Sequence, residues 1–267
     1  MFKTYFLKLE AEKMTCEDQV LLSAISRERA ERAMRYKKVS DIKLSVYSAL
    51  LVRYALLNEL KIDNKDLKFS VDENDRPVLI SCGHTGIDFN YSHTRGAVLL
   101  GVTDKGRIGV DIEKIDRRIP YNIGKRVFNT KELEYIERQE TGKELRLLEC
   151  WTRKEAYTKM KGHGLSVQLT DINTFDIERA ESLSTFRVDD HICSVSIDYA
   201  HHKDSLNTDN DILHNKNGIN TDNDIIRNKN GISTDNDIIC NRGGTNTDND
   251  ILFITEKELR KYFMMLG

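Results

Sequence analysis

An α+β fold of two similar α/β subdomains in a pseudo-twofold arrangement is the architecture this sequence predicts. Helical periodicity gives way to short extended segments twice along the chain, and this shared order favours two halves facing each other. Turn signals at Asn74-Asp75, Cys82-Gly83 and Lys105-Gly106 cut the extended stretches into short strands. A 13-residue repeat stands apart from both halves. The resulting division is 1–105 for the N-terminal subdomain, 106–206 with 246–267 for the C-terminal subdomain, and 207–245 for an insertion.

In the first half, Ser26 caps a charged helix running to about Lys38. Ser40 or Asp41 caps a second helix, whose Ile42, Val46, Leu50, Tyr54 and Leu57 recur at helical spacing. Extended segments follow at Leu67 to Val71, Pro77 to Ser81, Ile87 to His93, Ala97 to Thr103 and Ile108 to Glu113. The second half places helices near 119–128, 130–140 and 143–161, then strands within 166–176, 183–189 and 191–199. Asp250-Ile-Leu-Phe-Ile254 is apolar enough for a buried strand, and Thr255-Glu-Lys-Glu258 is a capping box that opens a final helix.

The repeat reads NTDNDILHNKNGI at 207–219, with two further copies to 245 and a fourth that starts at 246 and runs into the apolar strand. Across 207–245 there are ten Asn and six Asp and no aromatic residue, too little apolar surface to offset the entropy of ordering, so a mobile insertion is expected. Asp209-Asn210-Asp211 resembles a calcium loop, yet no distal bidentate Glu stands at the required spacing, which favours an inert insertion.

Forty-one Lys and Arg stand against 43 Asp and Glu, and the net charge of −2 lies wholly within the repeat. No overall basic excess points to a nucleic-acid partner. The N-terminus becomes charged too soon for a signal-peptide core, and no apolar stretch is long enough to span a bilayer, so a soluble, cytoplasmic protein without a membrane partner is expected. Cys16, Cys82, Cys150, Cys193 and Cys240 are scattered without a C-x-x-C pair and read as reduced thiols.

Chemistry concentrates in three motifs. In Ile108-Gly-Val-Asp-Ile-Glu113 the alternation puts Asp111 and Glu113 on one face of a strand. Two adjacent carboxylates repel unless a cation, a partner base or a shared proton compensates, which suggests a hard divalent metal such as Mg²⁺; alone, such a pair is more often just the solvated face of a strand. In Trp151-Thr-Arg-Lys-Glu-Ala-Tyr-Thr-Lys159, the residues Trp151, Glu155 and Lys159 share one helical face; alone, this would be a surface pair beside a core Trp. Gly162 caps that helix, and the Gly-x-Gly at 162–164 is too short for a nucleotide fingerprint. In Asp88-Phe-Asn-Tyr-Ser-His93, neighbouring Ser92 and His93 point to opposite faces of a strand. This suits a phosphate-holding tip better than a hydrolytic pair, and there is no G-x-S-x-G elbow.

Phe89-Asn-Tyr-Ser-His93, Ile108-Gly-Val-Asp-Ile-Glu113 and Trp151-Thr-Arg-Lys-Glu-Ala-Tyr-Thr-Lys159 with Gly162-His-Gly-Leu165, in that order, resemble the signature of the surfactin-type (Sfp-like) 4′-phosphopantetheinyl transferases. The resemblance runs from Ser26-Arg-Glu-Arg29 through Asp75-Arg-Pro77 to the final helix and leaves only the repeat unexplained. It implies transfer of the phosphopantetheine arm of coenzyme A to a serine of an apo acyl or peptidyl carrier protein, with release of adenosine 3′,5′-bisphosphate.

By the same resemblance, Asp111, Glu113 and Glu155 surround Mg²⁺. Glu155, or a metal-bound water it orients, is the candidate base, and Lys159 neutralises charge on the phosphates. Arg29, Arg32 and Ser45 are placed at the 3′-phosphate of coenzyme A, Arg76 at the same end, and Ser92 with His93 on the phosphates. The family's usual basic residue before Ser45 is here Leu44, with Lys43 one place earlier. The carrier is expected to be acidic, with Lys37, Lys38, Arg126 and Arg153 available to meet it. Family members of this two-half size tend to be monomers. A nucleotide kinase would need a Gly-x-x-x-x-Gly-Lys-Ser/Thr loop, which is absent, and a non-catalytic coenzyme-A- or carrier-binding module is disfavoured by the intact Asp111, Glu113, Glu155 and Lys159. The residues do not choose among fatty-acid, polyketide and nonribosomal-peptide pathways.

Overall fold

The computed structural model describes residues 1–10, 13–81, 86–138, 140–162, 168–177, 181–199 and 251–266. The repeat at 207–245 lies outside the described residues, with its calcium reading, and so do Cys82, Cys240 and most of the Gly162-His-Gly-Leu165 motif.

The chain opens with strand β1 (Phe2–Lys8), an element the sequence reading does not assign. After a short helix α1 (Cys16–Val20) come α2 (Arg27–Ala33) and α3 (Val39–Leu60), then the small hairpin β2 (Phe69–Val71) and β3 (Pro77–Leu79). β4 (Asp88–Thr94), β5 (Ala97–Thr103) and β6 (Arg107–Lys114) follow. The second half holds α4 (Tyr121–Val127), α5 (Thr130–Glu137), α6 (Lys143–Lys161), β7 (Glu181–Val188), β8 (His191–Asp198), β9 (Ile251–Ile254) and α7 (Glu256–Leu266). The fold is α+β. No helix among the described residues is long and apolar enough to cross a membrane.

Several expectations are corrected. Ser26 does cap α2, its Oγ accepting from Arg29 N, but that helix ends at Ala33 rather than near Lys38. α3 begins at Val39 with no side-chain cap: Asp41 N and Ile42 N donate to Lys38 O, so Ser40 and Asp41 lie inside the helix. The described part of 166–176 contains a single 3₁₀ turn (Leu169–Asp171) instead of a strand. The buried Lys154 takes the carbonyls of Leu169 and Ile172 at 2.9 and 2.6 Å, which folds this segment into a strap over α6. Residues 251–266, grouped by the sequence reading with the C-terminal half, pack with the N-terminal half: β9 is an edge of the first sheet, whose order is β4-β5-β1-β9. β9 runs parallel to β1, Thr4 opposite Ile251, and α7 buries Leu259 and Phe263 in the core formed by α3.

β1 serves both halves because its alternate side chains face opposite ways. Tyr5 and Leu7 enter the core under α3, whereas Phe6 joins Leu99, Ile108, Val110, Ile112 and Val195 in a second core between the two sheets. The second sheet, β6-β8-β7, carries α6 on its other face. Gly109 permits that approach: a Cβ there would stand 2.1 Å from Ala156 O and 2.3 Å from Met160 N. Cys150 and Cys193 are free and buried, and burial pushes both thiols up.

Candidate active site

β4 and β6 meet as the edges of two different sheets, and side chains stitch them together. Every second residue of β4 is polar: Asp88, Asn90, Ser92 and Thr94. Asp88 Oδ2 accepts from Ile108 N at 2.7 Å and Asn90 Oδ1 from Val110 N at 2.9 Å, which satisfies main-chain donors that a continuing sheet would otherwise pair. Ser92 Oγ then donates to Asp111 Oδ1 at 2.8 Å, and Thr94 Oγ1 lies 3.5 Å from Glu113 Oε2. The expected alternation of Asp111 and Glu113 thus puts both carboxylates on this seam, and both residues are buried.

α6 completes the site from one side. Lys159 Nζ lies 2.6 Å from Asp111 Oδ1, 3.0 Å from Ser92 Oγ and 3.3 Å from Val110 O, so the Ser92 strand, the carboxylate strand and the helix converge on one ammonium. Glu155 sits one turn earlier on the same helix. Burial raises its pKa above the ordinary carboxylate value, Lys159 opposes that shift, Asp111 adds to it and Arg117 opposes it. His93 is exposed at its surface but backed by enough protein that desolvation leads in lowering its pKa, with Lys159 and Arg29 contributing.

The donor chemistry fits a hard divalent cation: oxygen ligands on one seam, with Asp111 Oδ2 buried and lacking any hydrogen-bond partner. As the side chains stand, no group of three or more His, Cys, Asp or Glu is close enough to hold a metal ion among the described residues. Internal cations stand against the two strand carboxylates instead, Lys159 on Asp111 and Arg117 on Glu113.

The residues assigned to coenzyme A divide into those on a cavity and those elsewhere. Arg29 and Arg32 line a cavity of about 450 Å³ with Ser26, Arg53, Phe89 and Tyr91. Arg29 Nη2 donates to Ser45 O and Tyr91 OH, and its buried Nε has no partner. Ser45 is itself buried. Arg76 is committed to the seam: its terminal nitrogens donate to Lys159 O, Asp88 Oδ2, Phe89 O and Ile108 O, clamping α6 to β4 and β6. Lys43 points away from this region, fully buried against Glu256 at 2.9 Å, and does not substitute for the basic residue absent at Leu44. Arg153 is also buried, with Thr174 O, Thr185 Oγ1 and the Phe175 ring as partners, and is corrected out of any carrier-facing surface. Lys37, Lys38 and Arg126 are exposed.

Sequence reasoning missed Tyr91, Arg53 and Arg117. Arg117 meets Glu113 through the turn that follows β6 rather than through helical spacing. Tyr91 and Arg53 reach the cavity from elements remote in sequence and left no local mark.

Carboxylates and cations on the seam, beside a cavity lined with arginine, equip this α+β protein for group transfer on phosphorylated substrates. Residues 107–209 match the family model described as the 4′-phosphopantetheinyl transferase superfamily, and residues 13–104 match that of the 4′-phosphopantetheinyl transferase N-terminal region. The chain is 28% identical to the 4′-phosphopantetheinyl transferase gsp of Aneurinibacillus migulanus over 183 residues, 68% of this chain and 73% of that protein. It is 27% identical to the 4′-phosphopantetheinyl transferases ffp and Sfp of Bacillus subtilis, in each case over 62% of this chain and 73% of the relative. The chain belongs to the 4′-phosphopantetheinyl transferase superfamily.

Proposed function

We propose that this protein transfers the 4′-phosphopantetheine arm of coenzyme A to a serine of an apo acyl or peptidyl carrier protein, giving the holo carrier and adenosine 3′,5′-bisphosphate. The observation that carries this reading is the convergence of Ser92, Asp111 and Lys159, from β4, β6 and α6, within 2.6–3.0 Å of one another, in a chain matched along both halves by this superfamily.

In this reading the carrier serine Oγ attacks the phosphorus that bears the pantetheine arm, and the bond from that phosphorus to the bridging oxygen of the nucleotide breaks. Glu155 accepts the serine proton. Its raised pKa makes it a stronger base than a solvated carboxylate while leaving it ionised above that pKa. Lys159, from its place beside Ser92, neutralises charge developing on the transferred and leaving phosphates, and His93, the next residue of β4, offers them a hydrogen bond. Arg29 and Arg32 hold the 3′-phosphate end in their cavity, where the planar guanidinium donates in pairs. Asp111, Glu113 and Glu155 would hold Mg²⁺, supported by the orphaned Asp111 Oδ2. When bound, the ion supplies charge neutralisation and polarisation at the pyrophosphate.

The same reading makes the enzyme a cytoplasmic monomer of two pseudo-twofold halves, with 207–245 a dispensable insertion. Incubation with coenzyme A, Mg²⁺ and a panel of apo carriers, followed by intact mass, tests it. Metal-dependent addition of the phosphopantetheine arm, lost with EDTA and retained when 207–245 is deleted, is the expected result. Full transfer by the Glu155→Ala protein would sink the assignment.

A further inference from the structure

The two strand carboxylates are neutralised by different kinds of cation. Lys159 is integral to the seam, tied at once to Asp111, Ser92 and Val110 O. Arg117 lies in the segment after β6; its guanidinium pairs with Glu113, stands over the Trp151 ring 5.3 Å from its centroid, and is near enough to Glu155 to favour that carboxylate's charged form. Its side chain is 41% exposed, whereas that of Glu113 is 10% exposed, so Arg117 can leave into water at a cost Glu113 could not meet alone. It also has somewhere to go. A cavity of about 420 Å³ opens beside it, bounded by Arg118, Ile119, Lys143, Leu147 and the exposed carboxylate of Glu144.

We propose that Arg117 is an exchangeable counter-ion of this site: it holds Glu113 while no divalent cation is bound, and moves toward Glu144 in the adjoining cavity when a cation takes the carboxylate. The inference rests on the reading that Glu113 is a metal ligand. It makes Arg117 a positioning residue, which acts through Glu113 and touches neither substrate nor carrier. Its function is to keep two close carboxylates from repelling each other in the metal-free protein, at the expense of competing with the ion.

Trp151 is the single tryptophan of the chain, so its emission reports the guanidinium above it. The full chain would be titrated with Mg²⁺ alone, without coenzyme A, by calorimetry and by Trp151 fluorescence. In the unmodified protein the emission change should reach its midpoint at the calorimetric Kd. Arg117→Gln should bind Mg²⁺ about two- to fivefold more tightly, the range a partly exposed ion pair can impose, and should lose the emission change. Arg117→Lys keeps the charge and should restore affinity to within about twofold of the unmodified protein. Arg118→Gln removes the same charge on the cavity wall and should produce less than half the effect of Arg117→Gln.

Equal or weaker Mg²⁺ binding by Arg117→Gln overturns the exchange while leaving the metal site standing. An equal gain from Arg118→Gln overturns it as well, because the gain is then a general field effect. Absence of Mg²⁺ binding in every protein removes the metal site and the exchange together.

Discussion

Two buried charge clusters in this molecule use the same residue types to opposite ends. In the N-terminal half, Asp18 accepts from Tyr47 and Arg260 on one oxygen and from Thr15 N on the other, near Lys43. Glu256 accepts from Glu10 N on one oxygen and pairs with Lys43 and Arg260 on the other. Every carboxylate oxygen there is taken, and the cluster locks α7 against α1 and α3. At the seam, Asp111 Oδ1 takes both Ser92 and Lys159, while Oδ2 takes nothing. The lesson is that satisfaction, rather than burial or charge, separates a structural knot from a site prepared for a ligand.

If that contrast holds, substitutions should sort by readout. Glu155→Gln should lower kcat about 10²- to 10⁴-fold, as expected for removing a general base, with the melting temperature unchanged in a thermal scan. Lys43→Met should do the reverse: it takes the close cation from buried Glu256 and leaves Arg260 as the one cation on both carboxylates, at a cost of about 3 kcal/mol in urea unfolding, with kcat per folded molecule retained. Gly109→Ala should break the separation itself. Its Cβ collides with the backbone of α6, so stability should fall by about 1–3 kcal/mol, and transfer should fall with it because Glu155 and Lys159 ride on that helix. The double change Arg29→Gln with Arg32→Gln should raise KM for coenzyme A about tenfold while sparing kcat, which steady-state kinetics would resolve.

The smallest effect expected is a pH limb. His191 is buried at the start of β8 with neither ring nitrogen hydrogen-bonded, edge-on to Phe6. Burial leads in lowering its pKa; Asp190 and Asp189 oppose the shift, and Lys114 and Lys8 reinforce it. The folded protein therefore binds fewer protons than the unfolded chain, and stability should decline as pH falls through the ordinary histidine value of about 6.5. His191→Gln should flatten that decline by about 1 kcal/mol or less in unfolding curves taken between pH 7 and 5.

Local patterning made much of this legible. The bounds of β5 and α6 agree with their sequence assignments, Thr255 and Glu258 form the expected capping box, and Asp111 and Glu113 do share a face. What escaped was set by distant partners. β1 owes its existence as a strand to β5 and β9. Arg153 reads as a carrier-facing charge because the threonines that receive it lie on other elements, and the burial of its neighbour Lys154 against Glu132 and two carbonyls leaves no local mark either. Arg76 is placed at the coenzyme end by the resemblance alone, and its four acceptors on the seam are invisible until β4, β6 and α6 come together.

The parallel pairing of β1 with β9 has a consequence in time. These neighbours are separated by almost the whole chain, so at ribosomal rates β1 emerges about 10–50 s before its partner is made. Throughout that interval its outer edge offers unpaired amides and carbonyls, the template on which nascent strands of other chains can add. The first sheet to begin is thus the last to close, and a chaperone that shields β1 would act during translation rather than after it.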